Sequence, residues 1–172
     1  MDTDIIIKKI KENIMKTESK EKPVINKLQG KILIPYCIEQ KTRINEDNQT
    51  ETYYQYNLLK LPLDVDTSLQ ALKAKIKAEL KKQNDEYIYN KYAPGTQQTM
   101  QALYADSNTS SEHKALIISV WDWIRKTDVL PYYYSKKTEI ENATSVNTLL
   151  DIVWDFSQFD VTDPKVKLRD LV

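Results

Sequence analysis

The chain is poor in the residues from which familiar catalytic sites are built: two glycines, one histidine and one cysteine among 172 residues. At the usual frequency of roughly 7%, about a dozen glycines would be present. Phosphate-cradling loops need several, so that backbone N–H groups can approach an anion with no Cβ in the way. Metal centres and acyl-transfer triads draw on His and Cys in number. Cys37 has no second cysteine to pair with, so no internal disulfide can form, and a reducing, cytoplasmic origin is expected. Long apolar runs are missing too: residues 116–118 make one of the longest, far short of a bilayer span. The start Met1-Asp2-Thr3-Asp4 is acidic, and Ile5-Ile6-Ile7 is halted by Lys8-Lys9, which is no signal-peptide pattern.

Charged side chains are plentiful and balanced, 25 basic against 25 acidic, but unevenly placed. Residues 1–31 hold eight lysines and five acids, residues 66–82 five lysines and two acids, and residues 138–163 six acids with no Lys or Arg. Such segregation either orients docking through a charge dipole or simply reflects solvated helix faces.

Periodicity sets out the elements. Ile6, Ile10 and Ile14 recur on one helical face behind Asp2, Thr3 or Asp4 as caps, so residues 1–22 read as a helical arm fading into a polar linker before Pro23. After Gly30 the period becomes two. Ile32, Ile34, Tyr36 and Ile38, then Thr52, Tyr54, Tyr56 and Leu58 beyond a polar turn, predict an antiparallel hairpin within residues 23–65. Pro35 cannot donate to a ladder, so its strand is expected at an edge or with a bulge. A lone two-stranded ribbon is marginal, so it must lean on a helix or accept strands from another molecule.

Residues 66–172 read as helical. Asp66, Thr67 or Ser68 cap a helix with the stripe Leu69, Leu72, Ile76 and Leu80, whose lysines lie mainly on the other surface. Ala93-Pro94-Gly95 stops it, and Thr96 caps a short helix holding Met100, Leu103 and Tyr104. Ile117, Val120, Trp121 and Ile124 mark the next, with a break at Asp128 or Pro131. Thr144 or Ser145 caps a further short helix, and Asp163-Pro164 opens a last one. The two glycines, Gly30 and Gly95, fall at joints. The expected fold is α+β and mostly helical: an N-terminal helical arm, one antiparallel β-hairpin and a C-terminal bundle of short helices.

The aromatic residues carry the interest. Trp121, Trp123, Trp154 and the triplet Tyr132-Tyr133-Tyr134 fall within 34 residues. Trp121 and Trp123 are two apart on a helix and point in different directions, so one enters the core while the other faces a neighbour or a partner. Trp and Tyr dominate interface hot spots, though a small core also uses them. Stacking of nucleobases would need rings beside cations, yet the densest aromatic region is acidic and the lysine-rich residues 69–82 include no ring. Asp122 with Asp155 could be imagined as acid and base, but nothing in the sequence brings them together. Asp151, Asp155, Asp160 and Asp163 lack the glycine turn and alternating ligands of a calcium loop. His113 reads as solvent-facing and Cys37 as a packing residue. No enzyme activity, metal or cofactor is expected.

Tyr92-Ala93-Pro94-Gly95-Thr96-Gln97-Gln98-Thr99, Val120-Trp121-Asp122-Trp123-Ile124, Tyr132-Tyr133-Tyr134-Ser135-Lys136-Lys137 and the closing residues 149–157 share a character. Over about residues 87–160 the chain resembles small structural proteins encoded among the tail, baseplate and tail-fibre genes of tailed bacteriophages. The resemblance implies a virion component assembled in the bacterial host cytoplasm, with no catalytic residue. Its partners would be copies of itself and other virion proteins, with no membrane and no nucleic acid. Contact residues expected on this reading are Ile6, Ile10, Ile14, Tyr54, Tyr56, Trp121, Trp123, Tyr132, Tyr133, Tyr134 and Trp154. Two alternatives stay open: a small intracellular regulator or host-takeover protein that binds a host factor, and a nucleic-acid binder.

Overall fold

The structure, a computed structural model, describes residues 17–28 and 31–171, so Ile6, Ile10 and Ile14 of the expected arm lie outside the described residues. The fold is mixed α+β. Strands β1 (Thr17–Ser19), β2 (Asn26–Leu28), β3 (Lys31–Ile44) and β4 (Thr50–Pro62) form one antiparallel sheet in the order β1-β4-β3-β2. Helices α1 (Leu69–Lys91), α2 (Pro94–Ala105), α3 (Ser111–Asp122), α4 (Val129–Asn142) and α5 (Val146–Leu150) follow. A π-helical turn, Trp123–Thr127, continues α3, and short 3-10 turns occupy Phe156–Val161 and Leu168–Leu171.

The chain forms two compact units. One holds the described residues up to Lys73 together with Asn142–Trp154, and the other holds Ala74–Glu141 with the residues from Asp155 onward.

In the sheet unit, β3 and β4 pair from Lys31↔Pro62 to Ile44↔Thr50, as the period-two runs require. The expectation of a single hairpin is corrected by two further strands. β1 pairs with Tyr54–Tyr56 of β4, inside the stretch read as a linker, and β2 pairs with β3 over Lys31–Leu33. Each is only three residues long, too short for a period-two signal of its own. Unpaired backbone groups along a hairpin edge recruit such segments whatever their side chains. From Ile34 onward β3 has no strand partner on that side among the described residues, which leaves Pro35, with no N–H to donate, on an edge.

A bulge follows at once. The register passes from Tyr36↔Asn57 to Glu39↔Gln55, and Cys37 takes a φ of 51°. That left-handed conformation normally calls for glycine, and a buried cysteine holds it here. Ile32, Ile34, Tyr36 and Leu61 make the core with Leu149 and Leu150 of α5, and Trp154 stacks on Tyr36 with ring centroids 5.5 Å apart.

The expected bundle of short helices is also corrected: α1, whose residues Leu69–Lys73 belong to the sheet unit and the rest to the helical unit, runs unbroken for 23 residues. Ser68 begins it, with Oγ accepting from Ala71 N–H at 3.4 Å and Asp66 accepting from Ser68 N–H at 2.8 Å. Pro94 stands at the first position of α2, where its missing N–H costs nothing, and Thr96 lies inside that helix rather than capping it. Gly95 is likewise helical, and a Cβ there would meet nothing within 4 Å, so the joint does not demand glycine. Ser110 caps α3 by accepting from His113 N–H, and Ser145 caps α5 with a reciprocal bond to Thr148. The break falls at Asp128, whose N–H donates back to Trp123 O in the i−5 pattern of the π-turn, and Pro131 sits harmlessly in the first turn of α4.

Leu72, Ile76, Leu80, Asn84, Ile88 and Tyr92 of α1 and its end are all buried. Four-residue steps advance about 40° beyond a full turn each time, so this line winds around the helix instead of forming a straight stripe. Asn84 sits within it, and its Oδ1 has no hydrogen-bond partner among the described residues. A buried acceptor without a partner costs about 1–3 kcal/mol. Asn84→Leu is therefore expected to raise stability by about that amount, read from urea unfolding, and a lower midpoint would show that the amide is structurally required.

Candidate contact site

The structure sorts the expected aromatic contact residues into two sets. Trp123 is 3% exposed and Trp154 4%, so both are core residues and neither is available to a partner. Trp123 packs against the rings of Tyr87 and Tyr92, and its Nε1 donates to Thr162 Oγ1 at 3.0 Å. Tyr132 is half-buried, set edge-on to Phe156 and Phe159, and its hydroxyl accepts from Asp155 N–H at 3.0 Å. Tyr54 and Tyr56 are half-buried on β4 opposite Ser19 and Thr17. Tyr133 leans on Tyr134, which is 56% exposed.

Trp121 differs. Two residues before Trp123, it points roughly 200° away around the helix and is half-buried on the surface. Its ring meets Tyr104 of α2 edge-on at 5.0 Å, and the Arg125 guanidinium lies over it at 5.9 Å. Ile118, Trp121 and Arg125 share one face of α3 and its π-turn, while Gln97, Gln101 and Tyr104 share one face of α2. Beside them opens a groove of about 350 Å³ lined by Tyr89, Pro94, Gln97, Gln98, Gln101, Trp121 and Arg125.

Sequence reasoning found Trp121 but missed Arg125, Tyr89 and the glutamines. The i, i+4 spacings of Trp121 with Arg125 and of Gln97 with Gln101 were the available signal.

The segregated charges of the sequence fold back onto one another. In the helical unit Lys77 pairs with Glu141 at 3.2 Å, Lys81 with Asp85, and Lys82 with Glu86 at 3.9 Å. In the sheet unit Lys22 pairs with Asp151 at 2.6 Å, and Arg43 with Glu51 and Glu18 at 3.2 and 3.1 Å. Arg169 pairs with Asp170 at 3.8 Å. Of the three arginines, Arg125 alone has no carboxylate partner among the described residues.

A second polar cluster holds the C-terminal segment to α1. Lys91 bridges Asp160 at 2.8 Å and Asp163 at 3.3 Å, Tyr87 donates to Asp160 at 2.9 Å, and Tyr92 donates to Asp163 at 2.7 Å. The hydrogen bond from Lys91, then that from Tyr87, hold the Asp160 carboxyl below its ordinary range. Burial, reinforced by these carboxylates, pushes both tyrosine hydroxyls well above theirs.

Asp122 pairs with Lys126 at 2.8 Å, and Asp155 accepts from Ser157 N–H and Oγ at 2.9 and 2.7 Å. Among the described residues no three His, Cys, Asp or Glu side chains gather as a metal site, and no helix is long and apolar enough to cross a membrane. No protein-family model, curated protein or solved structure matches the chain.

Two outcomes test this assignment. Trp123→Ala should cost about 3–5 kcal/mol, as for a core aromatic, whereas Trp121→Ala should cost about 1 kcal/mol; equal losses in chemical unfolding would deny the distinction. Because the Asp160 carboxyl is lowered in the folded state, its contribution is complete above the ordinary carboxylate range and fades as pH falls through the native value. The melting-temperature gap between wild type and Asp160→Asn should thus be present at pH 7 and close in strong acid. A gap that widens on acidification would contradict the clasp.

Proposed function

We propose that this chain is a non-catalytic contact protein that joins copies of itself or neighbouring subunits in an assembly. The observation that carries the reading is the groove beside Trp121. Trp, Tyr and Arg are the residue types that dominate binding hot spots, and Trp121, Tyr89, Tyr104 and Arg125 bring all three to one surface. The resemblance of residues 87–160 to phage tail-region proteins supplies the setting, a virion component of the tail, baseplate or neck region. The nucleic-acid alternative gains no support, because Lys77, Lys81 and Lys82 are tied to acids instead of forming an open cationic groove.

Mass spectrometry of gradient-purified particles from the phage that encodes the chain should recover it in amounts stoichiometric with known structural subunits. Its confinement to the soluble fraction of infected cells would overturn the virion setting and favour a regulator.

A further inference from the structure

Among the described residues the groove has a cation without a carboxylate partner, and the turn between β3 and β4 has acids without a cation. The turn between β3 and β4 is built firmly. Asn45 N–H donates to Gln49 O at 2.9 Å, Asn48 N–H to Asn45 O at 3.0 Å, and Asn45 Oδ1 accepts from the N–H groups of Asp47 and Gln49. Asn48 takes the left-handed conformation, φ 63°, that asparagine tolerates. On this turn Glu46 and Asp47 are exposed and form no ion pair among the described residues. Behind them, Ile44 is 70% exposed.

The neighbouring cations do not neutralise the turn: Lys41 is taken by Glu39 at 3.3 Å, and Arg43 by Glu51 and Glu18. The paired edge strands stop short of it, since β1 reaches only Tyr54–Tyr56 and β2 only Lys31–Leu33. The end of the hairpin is therefore a two-stranded finger, with a preordered acidic tip and one bare isoleucine.

The geometry points to this tip, residues 44–49, as the occupant of the Trp121 groove on a second copy of the chain. The inference rests on the contact reading above and names the partner of that site. Arg125, fixed over the Trp121 ring and lacking an acid, presents its donors to Glu46 or Asp47, and a guanidinium fork suits a carboxylate. Ile44 covers the apolar walls offered by Trp121 and Tyr89. The side-chain amides of Gln98 and Gln101 each carry a donor and an acceptor, which match the peptide units of a turn. Because the turn is already ordered, little conformational freedom is lost on docking. Donor and acceptor surfaces are different patches, so the contact is heterologous and propagates head to tail, closing into a ring or continuing as a filament.

Light scattering coupled to size exclusion, on the full chain over a range of concentrations, tests this. Wild type should associate with rising concentration, and less so as salt is added. Arg125→Glu, and separately the double change Glu46→Lys with Asp47→Lys, should each weaken association by about tenfold or more, with unchanged circular dichroism. Mixing the two variants should restore it, since each tip then meets a groove of opposite charge. Restoration on mixing supports the inference. A wild type that stays monomeric at its highest soluble concentration overturns it, as does association that ignores both changes; the presence of the chain in particles is decided separately. Loss with Arg125→Glu while the tip variant behaves as wild type overturns the tip as occupant and keeps the groove as a contact site.

Discussion

Burial of the Trp123 ring is the interaction around which the helical unit is organised. Its neighbours come from distant parts of the chain: Tyr87 and Tyr92 from α1 and its end, and Thr162 from the C-terminal segment, which takes the indole N–H. A ring of this size removes a large apolar area from water, and its one polar group is satisfied. With no disulfide available, long-range order in this unit has to come from such side-chain packing. The Lys91 clasp lies close by in sequence, and its ion pairs and tyrosine hydrogen bonds act on the same C-terminal segment. Exposed ion pairs alone contribute little; anchored beside a buried aromatic cluster, they specify which way the segment lies.

Much of the fold was legible. The period-two runs around Ile34 and Tyr56 gave a hairpin, and the cap signals at Asp66-Thr67-Ser68 and at Thr144-Ser145 marked helix starts, whereas Pro94, read as a stop, also opens α2. What was illegible has physical causes. β1 and β2 are recruited by an existing edge, and three residues each are too few to carry a pattern of their own. The bounds of α1 were legible in the caps at Asp66-Thr67-Ser68 and the stop at Ala93-Pro94-Gly95, but its buried positions beyond Leu80 were not, because they wind around the helix and one of them, Asn84, is polar. The site was half legible: composition finds a tryptophan, and helical phase shows that Trp121 and Trp123 diverge. Only the packed structure says which faces out, and only the full set of ion pairs shows Arg125 left over.

The charge pattern carries a related lesson. Linear segregation of lysines and acids suggested a dipole, yet several members of each run meet acids or lysines of the other kind within their own unit. Among the described residues pairing by folding still leaves charges of both signs outside any ion pair, Arg125, Glu46 and Asp47 among them, each at a particular place on the surface. A short-range device of this sort discriminates by position rather than by net charge, which is zero.

The division into two units has one more consequence. Neither unit is a continuous stretch of chain: the sheet unit resumes at Asn142–Trp154, and the helical unit resumes at Asp155. A ribosome delivers the sheet strands first, but Leu149, Leu150 and Trp154, which complete their core, arrive only after most of the helical unit. Domains usually fold as they emerge. Here the early strands must wait, exposed, until residues 149–154 have emerged, and the order of translation becomes a constraint on how apolar the hairpin can be. Its end bears charges and polar side chains from Glu39 to Thr52, broken only by Ile44, as a segment held waiting in water should.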